Sequence, residues 1–307
     1  MSDILYQVLP ENLREHFARV PLQKVSELRL RCASPVVVAL GGRSFYLTPE
    51  GLSHNVADAI VVGRSDLETI IHKASDYSLY AVNEQLKRGF ITIRGGVRLG
   101  ITGEVVVENG EVSTIKNIQS INVRVPHEIR GCSYKILPYI FSQTEPYKTL
   151  IISPPGAGKT TMLRDLAWQL CDKYHLPNVL VLDERGEIAA NYQGENQLDV
   201  GAFTDVITGC SKSYGFENGI RSMRPDVIIC DEIATREDIE MLRAATRSGV
   251  CVFASVHARG IEDIRTKPIF RELIDEMVFD RYVVLATRES AGNIVGVFDR
   301  HLKLCYT

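Results

Sequence analysis

One segment near the middle of the chain, Ser153–Thr161, constrains the fold more than any other; it reads SPPGAGKTT. It fits the phosphate-loop pattern G-x-x-x-x-G-K-[ST], except that Ser153 replaces the first glycine. The apolar segment TLIIS precedes the loop, and TTMLRDLAWQL, which has the pattern of a helix, follows it. This strand–loop–helix order is the context that the pattern requires, and it predicts an α/β fold that binds a nucleotide at the loop.

The loop also predicts which residues hold the nucleotide. Backbone N–H groups and the positive end of the following helix attract phosphate groups. Lys159 is expected to reach the β- and γ-phosphates, and Thr160 to offer its hydroxyl to Mg²⁺. The alternative is a chance glycine turn before a helix, which GKTT in this setting argues against. The predicted nucleotide-binding residues are Pro155, Gly156, Ala157, Gly158, Lys159, Thr160 and Thr161.

A second motif, DVIICDE at residues 226–232, is an apolar strand that ends in two carboxylates. A Walker B strand has this form. Asp231 is predicted to hold the magnesium ion together with Thr160, and Glu232 to act as the general base that polarises the attacking water. Two solvated acids at a strand end are the alternative, which the preceding phosphate loop disfavours.

Two further strands end in residues that carry chemistry. VLVLDERGE brings Asp183 and Glu184 to the sheet edge where α/β proteins bind ligands, and VFASVH brings His257 there. We predict catalytic roles for these three residues, with His257 as a sensor of the γ-phosphate. A solvated acidic loop and a packed or surface histidine are the alternatives that remain open.

The rest of the chain indicates two domains, with a border at residue 145. Residues 146–307 alternate apolar strands with helices, which is typical of a mostly parallel sheet covered on both faces. Residues 1–145 form a smaller α+β region, in which Ser65-x-x-Glu68 predicts a helix start and Asn109–Gly110 a hairpin turn. The predicted fold class is therefore α/β, with a nucleotide-binding core after an α+β domain.

Composition excludes several classes of protein. The chain has 307 residues, with 35 Lys+Arg, 38 Asp+Glu and a net charge of −3. This balance argues against disorder and against a globally basic nucleic-acid binder. No stretch approaches the roughly 20 apolar residues of a membrane-spanning helix. The 7 cysteines are scattered without a CxxC pair, so we expect a reduced cytoplasmic protein without a zinc site.

Taken in order, these motifs resemble those of the ATPases that power type II and type IV secretion. The sequence departs from that pattern in the order of Asp183 and Glu184, in Asp231 where glycine is usual, and in Val250 where a first histidine is usual. A closer resemblance is to the stage III sporulation protein AA family. It covers nearly the whole chain and is carried by ELRLRCASPVVV, Phe90–Glu104, Ile121–Gly131 and Thr204–Ile233.

The resemblance implies a RecA-like ATPase with ATP and Mg²⁺ as ligands, in a homo-hexameric ring. It also implies integral membrane partners in the sporulation channel, with this chain peripheral at the mother-cell side of the septum and without nucleic acid. Arg94, Arg98 and Arg124 become candidate arginine fingers, with ordinary surface arginines as the alternative. A RecA-like nucleic-acid translocase or helicase, and a nucleotide-binding scaffold with negligible turnover, are the competing functions.

Overall fold

The computed structural model describes residues 2–142, 145–287 and 292–307. Contacts divide the chain into two compact units, Met1–His127 and Glu128–Thr307. Residues 128–142 thus group with the second unit, whereas the sequence favours a border at residue 145. That border stays a prediction, because a compact unit is defined by its contacts and a domain by its ability to fold alone.

The first unit is built on a seven-stranded sheet in which every pair of neighbours is antiparallel. The sheet order is β5-β4-β3-β1-β9-β8-β7, and β2 pairs with β6 outside it. The helices are α1 (Ser2–Val8), α2 (Glu11–Phe17), α3 (Arg64–Ala74) and α4 (Asn83–Lys87). Short 3-10 helices span Leu22–Lys24, Leu79–Val82 and Arg94–Gly96. The strands are β1 (Val25–Arg31), β2 (Ser34–Pro35), β3 (Val37–Leu40), β4 (Arg43–Thr48), β5 (Gly51–Ser53), β6 (Val61–Val62), β7 (Phe90–Thr92), β8 (Arg98–Glu108) and β9 (Glu111–Arg124).

Helix α3 illustrates how this unit forms its core. Its buried residues recur at helical spacing and belong to one apolar cluster with the sheet: Leu67, Ile70, Ile71 and Ala74. The predicted start at Ser65 is wrong, because the helix already includes Arg64. The backbone N–H of Gly63 donates to Oδ2 of Asp66 at 2.8 Å, so the capping pair lies two positions earlier than the Ser65–Glu68 pair that the sequence pattern indicates.

The second unit contains an eight-stranded sheet in the order β14-β11-β15-β16-β10-β17-β18-β19. Neighbours from β14 to β17 are parallel, whereas β18 and β19 are antiparallel. The helices are α5 (Leu137–Ile140), α6 (Lys159–Asp172), α7 (Lys212–Met223), α8 (Arg236–Arg247), α9 (Ile261–Thr266) and α10 (Pro268–Asp275). The strands are β10 (Thr149–Ser153), β11 (Val179–Asp183), β12 (Asn191–Tyr192), β13 (Glu195–Asn196), β14 (Thr204–Thr208), β15 (Val227–Cys230), β16 (Cys251–His257), β17 (Arg281–Leu285), β18 (Ile294–Asp299) and β19 (Leu304–Tyr306).

The parallel strands bring their carboxyl ends to one edge of this sheet. Strand β10 lies between β16 and β17, and β15 lies between β11 and β16. Ser153 at the end of β10 is the register partner of His257 at the end of β16. The phosphate loop and the ends of β11, β15 and β16 therefore share the edge at which open α/β sheets bind ligands. No helix in the described ranges is long and apolar enough to cross a membrane.

The segment that opens the second unit is bound to helix α6. Asp165, 2% exposed, accepts hydrogen bonds from the backbone N–H of Gly131 at 2.9 Å and of Ser133 at 2.8 Å. The hydroxyl of Ser133 donates to the same carboxylate at 2.5 Å. The guanidinium of Arg130 lies over the Trp168 ring, 4.6 Å from its centroid. Residues 130–133 are thus held by the helix that begins at the phosphate loop.

Candidate functional site

The phosphate loop has the backbone that its sequence requires. Gly156 and Gly158 have φ values of 74° and 96°, in the left-handed region that glycine adopts at little cost. Helix α6 begins at Lys159, directly after Gly158, so its N-terminal N–H groups face the loop. Ser153 is buried at the end of its strand and has a negative φ. A serine is therefore compatible with the position at which the loop pattern usually has glycine.

Lys159 and His257 are in direct contact. The Nζ atom of Lys159 lies 2.8 Å from Nδ1 of His257, and the lysine is buried with 6% of its surface exposed. Burial lowers the pKa of Lys159, because it disfavours the charged form, while the carboxylates of Asp231 and Glu232 act in the opposite direction. The imidazole and the nearby carboxylates thus take the place of water around the ammonium group.

Glu232 lies between His257 and Arg185. Its Oε2 atom is 3.4 Å from Nε2 of His257 and 3.6 Å from a terminal nitrogen of Arg185. About a quarter of the Glu232 side chain is exposed, 26%, so a water molecule can reach the carboxylate. The structure therefore brings the predicted base and the predicted sensor together with the lysine of the loop, in the order Lys159, His257, Glu232 and Arg185.

Asp231 is contacted by two hydroxyl groups. Thr160 donates to its Oδ2 atom at 3.5 Å, and Ser255 donates to its Oδ1 atom at 3.1 Å. The described residues hold no group of three or more His, Cys, Asp or Glu side chains suited to a metal ion. Mg²⁺ takes one or two protein oxygens and fills its other positions with water and substrate phosphates. The Thr160–Asp231 pair fits that requirement.

Asp183 has a different environment from Glu232. Its carboxylate is 1% exposed and accepts hydrogen bonds from the N–H groups of Glu187 at 2.8 Å, Ile188 at 3.1 Å and Ala189 at 2.9 Å. Burial raises the pKa of Asp183, and these backbone donors oppose the rise. The carboxylate thus shapes the loop after β11, and its predicted catalytic role stays a prediction.

Glu184 pairs with a lysine on helix α7. Its Oε2 atom lies 2.6 Å from Nζ of Lys212, which is also 3.8 Å from Asp238. Burial lowers the pKa of Lys212, but the hydrogen bond to Glu184 and the charge of Asp238 outweigh it, so the pKa is raised. The two adjacent acids of the motif therefore face different partners, and only Asp183 lies in the interior.

The three arginines predicted as fingers all belong to the first unit. Arg98 and Arg124 are register partners across β8 and β9, and the Arg98 guanidinium lies 3.8 Å from the centroid of the Phe90 ring. Arg94 is exposed in the 3-10 helix before β8. Their predicted action on a nucleotide stays a prediction.

Sequence reasoning missed three residues around this site. Ser255, which binds Asp231, lies two positions before His257 on the same strand, so strand alternation places both on one face. Arg185 lies within the acidic motif itself. Arg164 on α6 donates to the carbonyl groups of Ile188 at 2.5 Å and Glu187 at 2.6 Å; no local pattern marks that contact, because the partners are distant in sequence.

The fold and the loop define a class of protein, the P-loop α/β proteins with the fold of secretion ATPases. The structure is similar to that of the Legionella pneumophila ATPase DotB, with a TM-score of 0.56 and 16% identity over 90% of this chain and 76% of that one. It is also similar to the pilus retraction motor PilT with bound ADP, with a TM-score of 0.54 and 15% identity over 85% and 74% of the two chains.

The sequence narrows this class to one family. The family model described as "Sporulation stage III, protein AA" matches residues 2–304. The stage III sporulation protein AA of Bacillus subtilis is 37% identical over 300 residues, which cover 96% of this chain and 94% of that protein. The chain belongs to the stage III sporulation protein AA family. Its predicted resemblance to that family is confirmed.

Proposed function

We propose that this chain is a Mg²⁺-dependent ATPase with a RecA-like core, acting as a motor of the secretion-ATPase type. The observation that carries the proposal is the meeting of Lys159, Asp231, Glu232 and His257 beside the phosphate loop. Three of these residues match requirements of phosphoryl transfer: Lys159 is a cation for the phosphates, Asp231 an oxygen ligand for the metal and Glu232 a base for water. His257 contacts both Lys159 and Glu232.

The proposed reaction begins with the β- and γ-phosphates of ATP on the N–H groups of the loop, with Lys159 against their oxygens. Glu232 accepts a proton from a water molecule, whose oxygen forms a bond to the γ-phosphorus. The bond between that phosphorus and the oxygen bridging to the β-phosphate breaks, and its electron pair leaves with ADP. Mg²⁺, held by Thr160 and Asp231, would supply positive charge for the phosphate oxygens.

The motor part of the proposal follows from the contact between Lys159 and His257. Phosphate oxygens compete with the imidazole for Lys159, so binding and hydrolysis change which partner the lysine holds. Such a change in contacts is the kind of local event that nucleotide switches convert into domain motion. The names of the similar structures, an ATPase and a retraction motor, support this reading.

Membership of the family supports a proposal for the setting of the motor. We infer a homo-hexameric ring that works at the mother-cell side of the septum and energises or assembles the channel to the forespore. Its partners in this proposal are integral membrane proteins of that channel, and the chain itself is cytoplasmic and peripheral to the membrane.

The test is phosphate release by the purified chain, with ATP and GTP compared and with Mg²⁺ present or chelated. We expect Mg²⁺-dependent turnover that is lost in Lys159→Ala and kept in the matched surface variant Lys173→Ala. Mass measurement with a non-hydrolysable ATP analogue should give a hexamer, and a strict monomer under every condition contradicts the ring. Strong, salt-sensitive stimulation by single-stranded DNA or RNA would instead favour a nucleic-acid translocase.

A further inference from the structure

We propose that Arg185 is a catalytic residue of this reaction, which contacts the γ-phosphate of a nucleotide bound to the same chain. The inference rests on the proposed ATPase function and adds a residue to it. It differs from the fingers expected on the first unit, because Arg185 is part of the second unit, as are the phosphate loop and Glu232.

The position of Arg185 follows from the order of the strands. Strand β11, which ends at Asp183, pairs in parallel with β15, which ends at Cys230 just before Asp231 and Glu232. The residues after both strands therefore emerge side by side at the ligand-binding edge of the sheet. This brings a terminal nitrogen of Arg185 to 3.6 Å from Oε2 of Glu232.

Contact with Glu232 places the guanidinium within reach of the γ-phosphate. A general base must lie within hydrogen-bond distance of the water that it activates. That water must in turn lie about 3–3.5 Å from the phosphorus that it attacks. A group that touches the Glu232 carboxylate is then close to the γ-phosphate oxygens as well. Arg185 has a planar fork of N–H donors, which matches phosphate oxygens.

The backbone that carries Arg185 is firmly held, while its side chain is not enclosed. Asp183 accepts from the N–H groups of residues 187–189, and Arg164 donates to the carbonyls of Glu187 and Ile188. The N–H of Gly186 donates to the carbonyl of Asp183 at 3.2 Å and closes the turn. The Arg185 side chain is 62% exposed, so it can exchange partners without disturbing the core.

The negative charge at the site also favours a cationic side chain at the position of Arg185. ATP brings a γ-phosphate next to Glu232 and Asp231, and negative charge shifts to the leaving oxygen as the bond breaks. Lys159 is the cation of the loop itself, and His257 contacts both Lys159 and Glu232. A guanidinium beside Glu232 would offset the charge on the far side of the γ-phosphate, as arginine fingers do.

The first experiment compares Arg185→Ala with Arg271→Ala, a matched arginine on α10 that is exposed and pairs with Asp275. In Arg185→Ala we expect unchanged affinity for ADP, about tenfold weaker binding of a non-hydrolysable ATP analogue, and turnover lower by about 10³-fold. Arg185→Lys should restore only part of the turnover, because it lacks the fork. Equal changes for ADP and the analogue, or turnover within about tenfold of the wild type, would overturn the proposal.

The second experiment tests whether Arg185 acts within its own chain. Arg185→Ala and Lys159→Ala chains are co-expressed with different tags, and assemblies that carry both tags are assayed. Action within one chain leaves every site defective, so turnover stays at the level of the single variants. Recovered turnover would show action across subunits and would overturn the inference.

These outcomes separate failure of the inference from failure of the proposed function. A wild-type chain that releases no phosphate contradicts the ATPase. The difference between ADP and the analogue then still shows whether Arg185 contacts a γ-phosphate.

Discussion

The Nζ atom of Lys159 lies 2.8 Å from Nδ1 of His257. Because an ammonium group only donates, Nδ1 is the atom placed to accept from it. The other ring nitrogen, Nε2, lies 3.4 Å from Oε2 of Glu232. The imidazole is thus placed as the hydrogen-bond acceptor for Lys159. In the proposed nucleotide complex a phosphate oxygen takes its place.

His257→Ala should make the protein more dependent on nucleotide for its stability. The substitution leaves the buried ammonium of Lys159 without its Nδ1 acceptor, which we expect to cost about 1–3 kcal/mol of unfolding free energy. ATP supplies new acceptors, so the rise in Tm on adding a non-hydrolysable analogue should exceed that of the wild type. The exposed histidine variant His301→Ala serves as the control. An unchanged ligand-induced rise would show that His257 does not hold Lys159.

Lys159→Met should separate stability from binding. Burial lowers the pKa of Lys159, so the charged form is disfavoured in the folded protein. Methionine keeps an apolar stem of similar length without the charge, and we expect the nucleotide-free Tm to rise by about 2–4 °C. The nucleotide-induced rise should disappear. A lower Tm without nucleotide would mean that the contact with His257 outweighs the cost of burial.

Glu232→Gln should bind nucleotide and fail to hydrolyse it. Glutamine keeps the shape of the side chain but cannot accept the proton from water, so turnover should fall by about 10²–10⁴-fold while affinity for the ATP analogue is kept. Phosphate release and equilibrium binding measure the two effects. Glu240→Gln, an exposed glutamate that pairs with Arg243 on α8, is the matched control. Normal hydrolysis in Glu232→Gln would contradict the proposed mechanism.

Asp165→Ala should destabilise the second unit strongly. It removes the acceptor of two N–H groups and one hydroxyl from Gly131 and Ser133, at a cost of about 2–4 kcal/mol. Ser133→Ala removes only the hydroxyl and should cost about 1 kcal/mol. Trp168, the single tryptophan of the chain, lies on the same helix, so its fluorescence during urea unfolding reports on the transition. Equal midpoints for the two variants would show that the backbone N–H groups find other acceptors.

The cysteines should differ in reactivity and in their dependence on pH. Burial raises the pKa of Cys132 and of Cys251 to about 12, and each sulfur lies against a carbonyl oxygen. At about pH 8, iodoacetamide should modify exposed Cys305 first and these two slowly, because the thiolate is the reactive form. Peptide mass spectrometry measures the order, and fast modification of Cys132 or Cys251 would contradict it.

The same thiols give a pH dependence of stability with a definite sign. Their folded pKa lies above the reference value of 9.0. The two protonated thiols therefore make their full contribution to the free energy of unfolding below pH 9.0, and this contribution is lost as the pH rises toward about 12. The free energy of unfolding should decrease as the pH rises from 9.0 toward about 12. The decrease should be smaller in Cys251→Ala, because that variant lacks one of the two thiols.

The sequence predicted the features that local pattern determines. The four apolar strands named from the sequence, β10, β11, β15 and β16, occur where they were expected, because a short continuous apolar run between turn signals favours a buried strand. Strand β14 was missed because its residues are partly exposed at the edge of the sheet. The hairpin turn at Asn109–Gly110 is observed, with φ values of 53° and 83°, since that dipeptide favours the required backbone.

Partners that are distant in the chain could not be predicted in the same way. Asp183 and Glu184 are adjacent acids, and the local sequence does not predict their different partners. Asp183 accepts from backbone N–H groups in the interior, whereas Glu184 binds Lys212. The contact between Arg185 and Glu232 likewise depends on the neighbouring positions of β11 and β15 in the sheet. Sequence pattern locates the strand ends, and strand order decides which side chains meet.

The hydrogen bonds from Gly131 and Ser133 to Asp165 have a mechanical consequence. A helix is stiff along its axis, so a tilt of α6 caused by phosphate at Lys159 acts at Asp165 as well. Gly131 and Ser133 are hydrogen-bonded there, so any such tilt would move them as well. The phosphate loop and the segment at residues 131–133 are therefore joined through one helix.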